Sequence, residues 1–152
     1  MGNEWRGDDG VGLLVARRLR ARALAGVTVC ELRDDPTRLL EAWANGDLVY
    51  LIDAVSSGRE PGTVRRWDVP TDSLDEKVFR LSTHGATVAD AVELARVLKG
   101  LPPRLVIFGI EGKCFRMGCG VSPKVQRGAE QIADRIEREL REAAAAETMS
   151  LR

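Results

Sequence analysis

The sequence predicts a single α/β domain built on a mostly parallel sheet, and three features carry that prediction. Two continuous apolar runs, "DLVYLIDA" at 47–54 and "RLVIFGIEG" at 104–112, have the pattern of strands buried on both faces. Amphipathic helical patterns stand before, between and after them, so strands and helices alternate along the chain. A length of 152 residues suits one domain, able to bury roughly 70% of its unfolded surface.

Each element has its own signal. From Val11 to about Leu24 apolar residues recur at helical spacing as Val11, Leu14, Val15 and Leu19, and the acids just before them complement the helix dipole. Arg17, Arg18, Arg20 and Arg22 read as the solvated face of that helix. "GVTVCEL" at 26–32 is rich in β-branched residues and predicts a short strand. Residues 35–46 predict a helix, with Pro36 in its first turn and Gly46 as its stop. After the strand at 47–54, a turn leads into an alternating strand at 63–67, whose Arg65 and Arg66 suit a sheet edge. A helix follows at 86–99, offering Val88, Val92, Leu94 and Leu98 for burial before Gly100, Pro102 and Pro103 end it. The last helix starts near Ser122 and carries the stripe Val125, Ala129, Ile132, Ile136 and Leu140. The domain spans 1–146, and 147–152 is expected to fray.

Composition narrows the function. Hydrophobic content of 44% and charged content of 30% are ordinary for a globular protein, and 23 basic residues balance 23 acidic ones. A net charge of zero gives no electrostatic reason to expect nucleic acid or an anionic membrane as partner. Neither a transmembrane run nor a signal segment is present. Three cysteines, with no C-x-x-C pair, fit reduced thiols in the cytoplasm. Cys114 and Cys119 alone do not complete a structural zinc site.

Parallel sheets place their sites beyond the carboxyl ends of the strands. Three positions qualify. Asp53 closes an apolar strand, and a carboxylate there must meet water, a donor or a cation; capping the next turn is the bland alternative. His84 is the one histidine, placed just before a helix in "LSTHGAT", and imidazole serves both as metal ligand and as proton carrier. Asp8 and Asp9 lie in "GDDGVG", where two acids would repel phosphate and suit a cation instead. Asp8 can serve as a helix N-cap, with Asp9 facing the site. Two carboxylates and one imidazole form a set that suits a borderline divalent ion of the nickel or zinc type. No nucleophile-elbow or H-E-x-x-H motif is present.

These segments, taken in order, resemble a known family. "GN-x-x-x-GDDGVG", "LVYLIDAVSSGREPGTVRRW", "STHGATVADAVELARVL" and "LVIFGIEG…GCGVSPKV" are similar to the corresponding segments of the nickel-iron hydrogenase maturation endopeptidases, over Gly2 to about Leu140. The resemblance implies one three-layer domain with a twisted, mostly parallel sheet flanked by helices. It implies an aspartyl-type protease that removes a short C-terminal extension from the large-subunit precursor of a nickel-iron hydrogenase after nickel insertion. The metal-contacting and catalytic residues it implies are Asp9, Asp53 and His84. Nickel is supplied by the precursor, and no organic cofactor is implied. A non-catalytic module that binds the nickel site as a chaperone uses the same residues and stands as the alternative.

The chain departs from the family in two places. The family carries an apolar strand of about five to six residues before the Gly-Asn, whereas Met1 stands directly before Gly2 here. The expected first strand is therefore absent, which implies unpaired backbone on its neighbours and points to a start further upstream. In "GIEGKCFRMGCGVSP", Cys114, Phe115, Met117 and Cys119 have no role implied by the family. Glu111 suits either a substrate groove or a hydrogen bond to a loop, and Phe115 with Met117 suits a contact surface or core filling.

Overall fold

The computed structural model describes residues 1–33, 38–69, 71–75, 77–79 and 87–150. Within them a sheet of three strands separates two helical layers, so the α/β class expected from the alternation holds. The strands are β1 (Leu48–Val55), β2 (Val64–Val69) and β3 (Arg104–Glu111), in the order β1-β3-β2. β1 runs parallel to β3, with Asp53 opposite Gly109, and β2 pairs antiparallel to β3. Both apolar runs became strands within a residue or two of their expected limits. β2 lies at an edge of this sheet, as its two arginines suggested.

Strand alternation sends successive side chains to opposite layers. Leu51, Val55, Leu105, Ile107, Trp67 and Val69 join one buried cluster, with α2 (Leu39–Trp43) and α3 (Val88–Val97). Ile52, Ala54, Val106, Phe108 and Ile110 join the other, with α1 (Val11–Ala21) and α4 (Pro123–Ser150). The stripe of α4 is buried as expected at Val125, Ala129, Ile132 and Ile136. Each such aliphatic side chain contributes about 1.5–3 kcal/mol by leaving water. The helix continues past Ala146, where fraying was the expectation, to Ser150. None of the described helices is long and apolar enough to cross a membrane.

Four expectations need correction. Residues 26–32 form no strand. Isolated bonds hold them instead: Gly2 N–H to Leu32 O at 3.1 Å and an Arg20 guanidinium N–H to Val29 O at 3.1 Å. A strand needs a ladder, and β-branched composition alone does not supply one. Leu94 and Leu98 are 48% and 62% exposed, because the smaller Ala91 and Ala95 occupy the buried face of α3 beside Val88 and Val92. The helix expected over 35–46 is observed as α2, Leu39–Trp43, while 34–37 lie outside the described residues. The arginines of α1 are not simply solvated. Arg22 reaches Glu130, Asp134 and Glu137 of α4 at 3.2, 2.6 and 2.7 Å, Arg18 pairs with Glu130, and Arg17 and Arg20 pair with Glu31. These pairs knit α1 to α4 and to the segment that follows α1.

Candidate active site

Loops from three parts of the chain meet where β1 and β3 end, and two buried carboxylates tie them together. "GDDG" at Gly7–Gly10 forms a 3-10 turn directly before α1. Asp8 is fully buried in it. Its Oδ2 accepts the Lys113 and Cys114 amides at 2.7 and 2.9 Å, and its Oδ1 accepts the Ser122 amide at 2.6 Å. The Ser122 hydroxyl adds a donor at 3.2 Å, and the Asp8 amide donates back to Cys114 O at 2.8 Å. Asp8 therefore does not cap its own helix, the role left open for it. Its side chain reaches across the rim and pins the β3–α4 loop, where donors without other partners wait.

Glu111, the last residue of β3, does the same for the β1–β2 loop. Its Oε1 accepts the Ser57 and Gly58 amides at 2.7 and 3.0 Å, and its Oε2 accepts the Ser57 hydroxyl at 2.7 Å. Of its two open readings, the loop bond is the one observed. Phe115 likewise packs inward, against the α1–α4 core cluster. Met117 is 71% exposed.

Two further carboxylates are buried among the described residues, Asp9 and Asp53, at 5% and 9% exposure. Asp9 follows Asp8 in the turn and forms an ion pair with Arg6 at 3.5 Å. Asp53 sits on β1 between Leu51 and Val55 and so faces the layer that contains α3. Its Oδ1 accepts the amide of Ala54 at 3.0 Å, a local bond of the bland kind. The structure brings the two acids to one rim. The buried Met1 amino group donates to Ile52 O at 2.7 Å and lies within electrostatic reach of both. Burial lowers the pKa of that amine, and the charges of Asp53 and Asp9 work the other way. His84 lies outside the described residues. The helix it precedes begins at an N-cap, Thr87, whose hydroxyl accepts the Asp90 amide at 3.1 Å while Asp90 accepts the Thr87 amide at 2.6 Å. Among the described residues no three His, Cys, Asp or Glu side chains gather as a metal-binding group.

The family model described as HycI, hydrogenase maturation protease, matches residues 14–139. The chain belongs to the hydrogenase maturation protease family. Solved structures of similar shape agree with it. The hydrogenase maturating endopeptidase HybD from E. coli superposes with a TM-score of 0.76 at 22% identity, over 93% of this chain and 89% of that one. An endopeptidase from Escherichia coli gives 0.75 at 25%, over 94% and 90%. The [NiFe] hydrogenase maturation protease HycI from Thermococcus kodakarensis KOD1 gives 0.74 at 28%, over 92% and 88%. Comparison with curated proteins finds no match.

For a hydrogenase maturation protease, sequence reading overlooked two residues beside Asp9. Arg6 pairs with it, and Trp5 stands 64% exposed at the same rim, its carbonyl accepting the Gly118 amide at 2.9 Å. A tryptophan in an otherwise polar loop was the available signal for the second. Arg6 carried none, because its role depends on a turn that only the folded chain displays.

Proposed function

We propose that this hydrogenase maturation protease removes the C-terminal extension of a nickel-iron hydrogenase large-subunit precursor once nickel is in place, acting in the cytoplasm as an aspartyl-type endopeptidase. Family membership supports the reaction class. The observation that carries the site is the pair of buried carboxylates, Asp9 and Asp53, at one loop-built rim. Buried anions are costly unless a cation or donors compensate them. A divalent ion arriving in the precursor offsets that cost far better than a neutral peptide does. The nickel is thus part of the substrate, and the enzyme recognises it by offering ligands from Asp9, Asp53 and His84.

In this reading Arg6 neutralises Asp9 before the precursor arrives, and the incoming ion competes with that ion pair. One carboxylate accepts a proton from the attacking water, while the other orients the reacting centre. The substrate ion draws charge from the scissile carbonyl. Exposed Trp5 and Met117, joined through the Trp5–Gly118 hydrogen bond, offer the precursor an apolar rim next to these acids.

The test is cleavage of nickel-loaded and nickel-free precursor from the same genome, read by intact mass. Loaded precursor should lose its extension, and the Asp9→Asn, Asp53→Asn and His84→Ala variants should each cut at least about 100-fold more slowly. Equal cleavage of the nickel-free form would remove the nickel-reading step. Tight binding of the loaded precursor without any mass change would favour the chaperone module instead.

A further inference from the structure

The β3–α4 loop carries two thiols that the proposed cleavage does not use. The Lys113 and Cys114 amides are fixed on Asp8, and Phe115 lies over Gly112, its ring 2.3 Å from the place a Cβ there would take. The chain then turns back on itself. Gly118 takes φ +79°, and the Cys119 amide donates to Arg116 O at 3.4 Å. The turn returns Cys119 to Cys114. A Cβ placed on Gly7 would lie 2.3 Å from Cys114 O and 3.0 Å from the Cys119 Cβ, so both cysteines border one point. The two thiols hydrogen-bond to each other, and both hydrogen-bond to Arg116. Each is half-buried and reduced in this structure, and the third cysteine, Cys30, is exposed.

We propose that Cys114 and Cys119 are a reversible oxidation site, closed to an intraloop disulfide by a low-molecular-weight peroxide. Cys114 is the attacking sulfur. Hydrogen bonds from Cys119 and Arg116 pull its thiol down to about 7, while Cys119 is raised by its bond to Cys114. The Cys114 thiolate attacks one peroxide oxygen, the O–O bond breaks, and the departing hydroxide takes a proton to leave as water. The resulting sulfenic sulfur is attacked by Cys119; the S–O bond breaks, and the hydroxide leaves with the Cys119 proton as a second water. Two thiols and one hydrogen peroxide thus give one disulfide and two waters. The site does not depend on the proposed protease activity. It lies in the loop that Asp8 and Trp5 tie to the turn holding Asp9, so the bond would staple one wall of the candidate site.

The experiment treats the reduced full chain with one equivalent of hydrogen peroxide, blocks the remaining thiols with iodoacetamide, and maps tryptic peptides. Peptide 114–116 should appear joined to peptide 117–124, with Cys30 alkylated, and dithiothreitol should restore three alkylated cysteines. Cys119→Ser should leave Cys114 as a sulfenic acid trapped by dimedone, with no cross-link. Arg116→Gln should slow formation of the bond several-fold. Three results would each overturn the proposal: a Cys30-linked dimer, sulfinic acid at Cys114 with Cys119 still alkylated, or three unreacted thiols. The wild-type peptide map decides the matter even if a variant fails to fold.

Discussion

The Asp8 carboxylate and the Ser122 amide meet at 2.6 Å although 114 positions separate them in the chain. That bond belongs to a set of four in which one buried acid orders the Lys113–Cys114 backbone and the entry to α4. Replacing Asp8 by Ala leaves those amides without their acceptor. At about 1–3 kcal/mol for each unsatisfied group, Asp8→Ala should cost about 3–5 kcal/mol. Asp8→Asn retains one acceptor oxygen and should cost roughly half as much. Urea and thermal melts read both, and an Asp8→Ala protein that unfolds with the wild type would contradict the structural role.

Glu111 permits a sharper comparison, because one of its oxygens takes two backbone amides and the other takes a hydroxyl. A glutamine at this position keeps the amide-accepting oxygen, and its NH2 donates to the Ser57 hydroxyl, which then accepts. Glu111→Gln should therefore cost about 1 kcal/mol and Glu111→Ala about 2–4 kcal/mol. Equal losses in chemical denaturation would show that charge, not hydrogen-bond geometry, matters at this position.

These two acids also mark where sequence reading stops. β1 and β3 were legible because strands covered on both faces leave unbroken apolar runs, and α4 was legible from its buried stripe. Asp8 and Asp9 are chemically identical neighbours, and only contacts with residues more than a hundred positions away separate the clamp from its neighbour. Composition likewise favoured Leu94 and Leu98 as core residues of α3. Close packing selected Ala91 and Ala95, since a short side chain lets the helix approach the sheet. His84 is the one candidate site residue that lies outside the described residues, so the three-residue constellation still rests on the sequence.

Gly7 is required on two grounds. Its φ is +61°, which disfavours any side chain, and a Cβ would stand 2.3 Å from the carbonyl oxygen of Cys114. The left-handed backbone alone costs roughly 1–2 kcal/mol, and that carbonyl is held by the Asp8 amide and cannot simply retreat. Gly7→Ala should lose at least about 2 kcal/mol in a urea titration, and a loss below about 0.5 kcal/mol, the size of an ordinary surface change, would show that the turn adapts.

Tyr50 gives a pH prediction with its own optical signal, because it is the single tyrosine of the chain. Burial, and then the hydrogen bond to Glu139 at 2.8 Å, push its phenol up to about 12. The unfolded value is near 10. A group raised on folding gives stability that is fully present below the unfolded value and is lost as pH rises through the folded one. Urea midpoints should therefore stay level with respect to Tyr50 up to about pH 10 and decline above it, with a shallower decline in Tyr50→Phe. Tyrosinate absorbance of the folded protein should show a midpoint near 12. In Glu139→Gln the neighbouring anion is gone and Arg66, which lowers the pKa, remains, so the midpoint should move toward the ordinary value. An unchanged midpoint in that variant would assign the whole shift to burial.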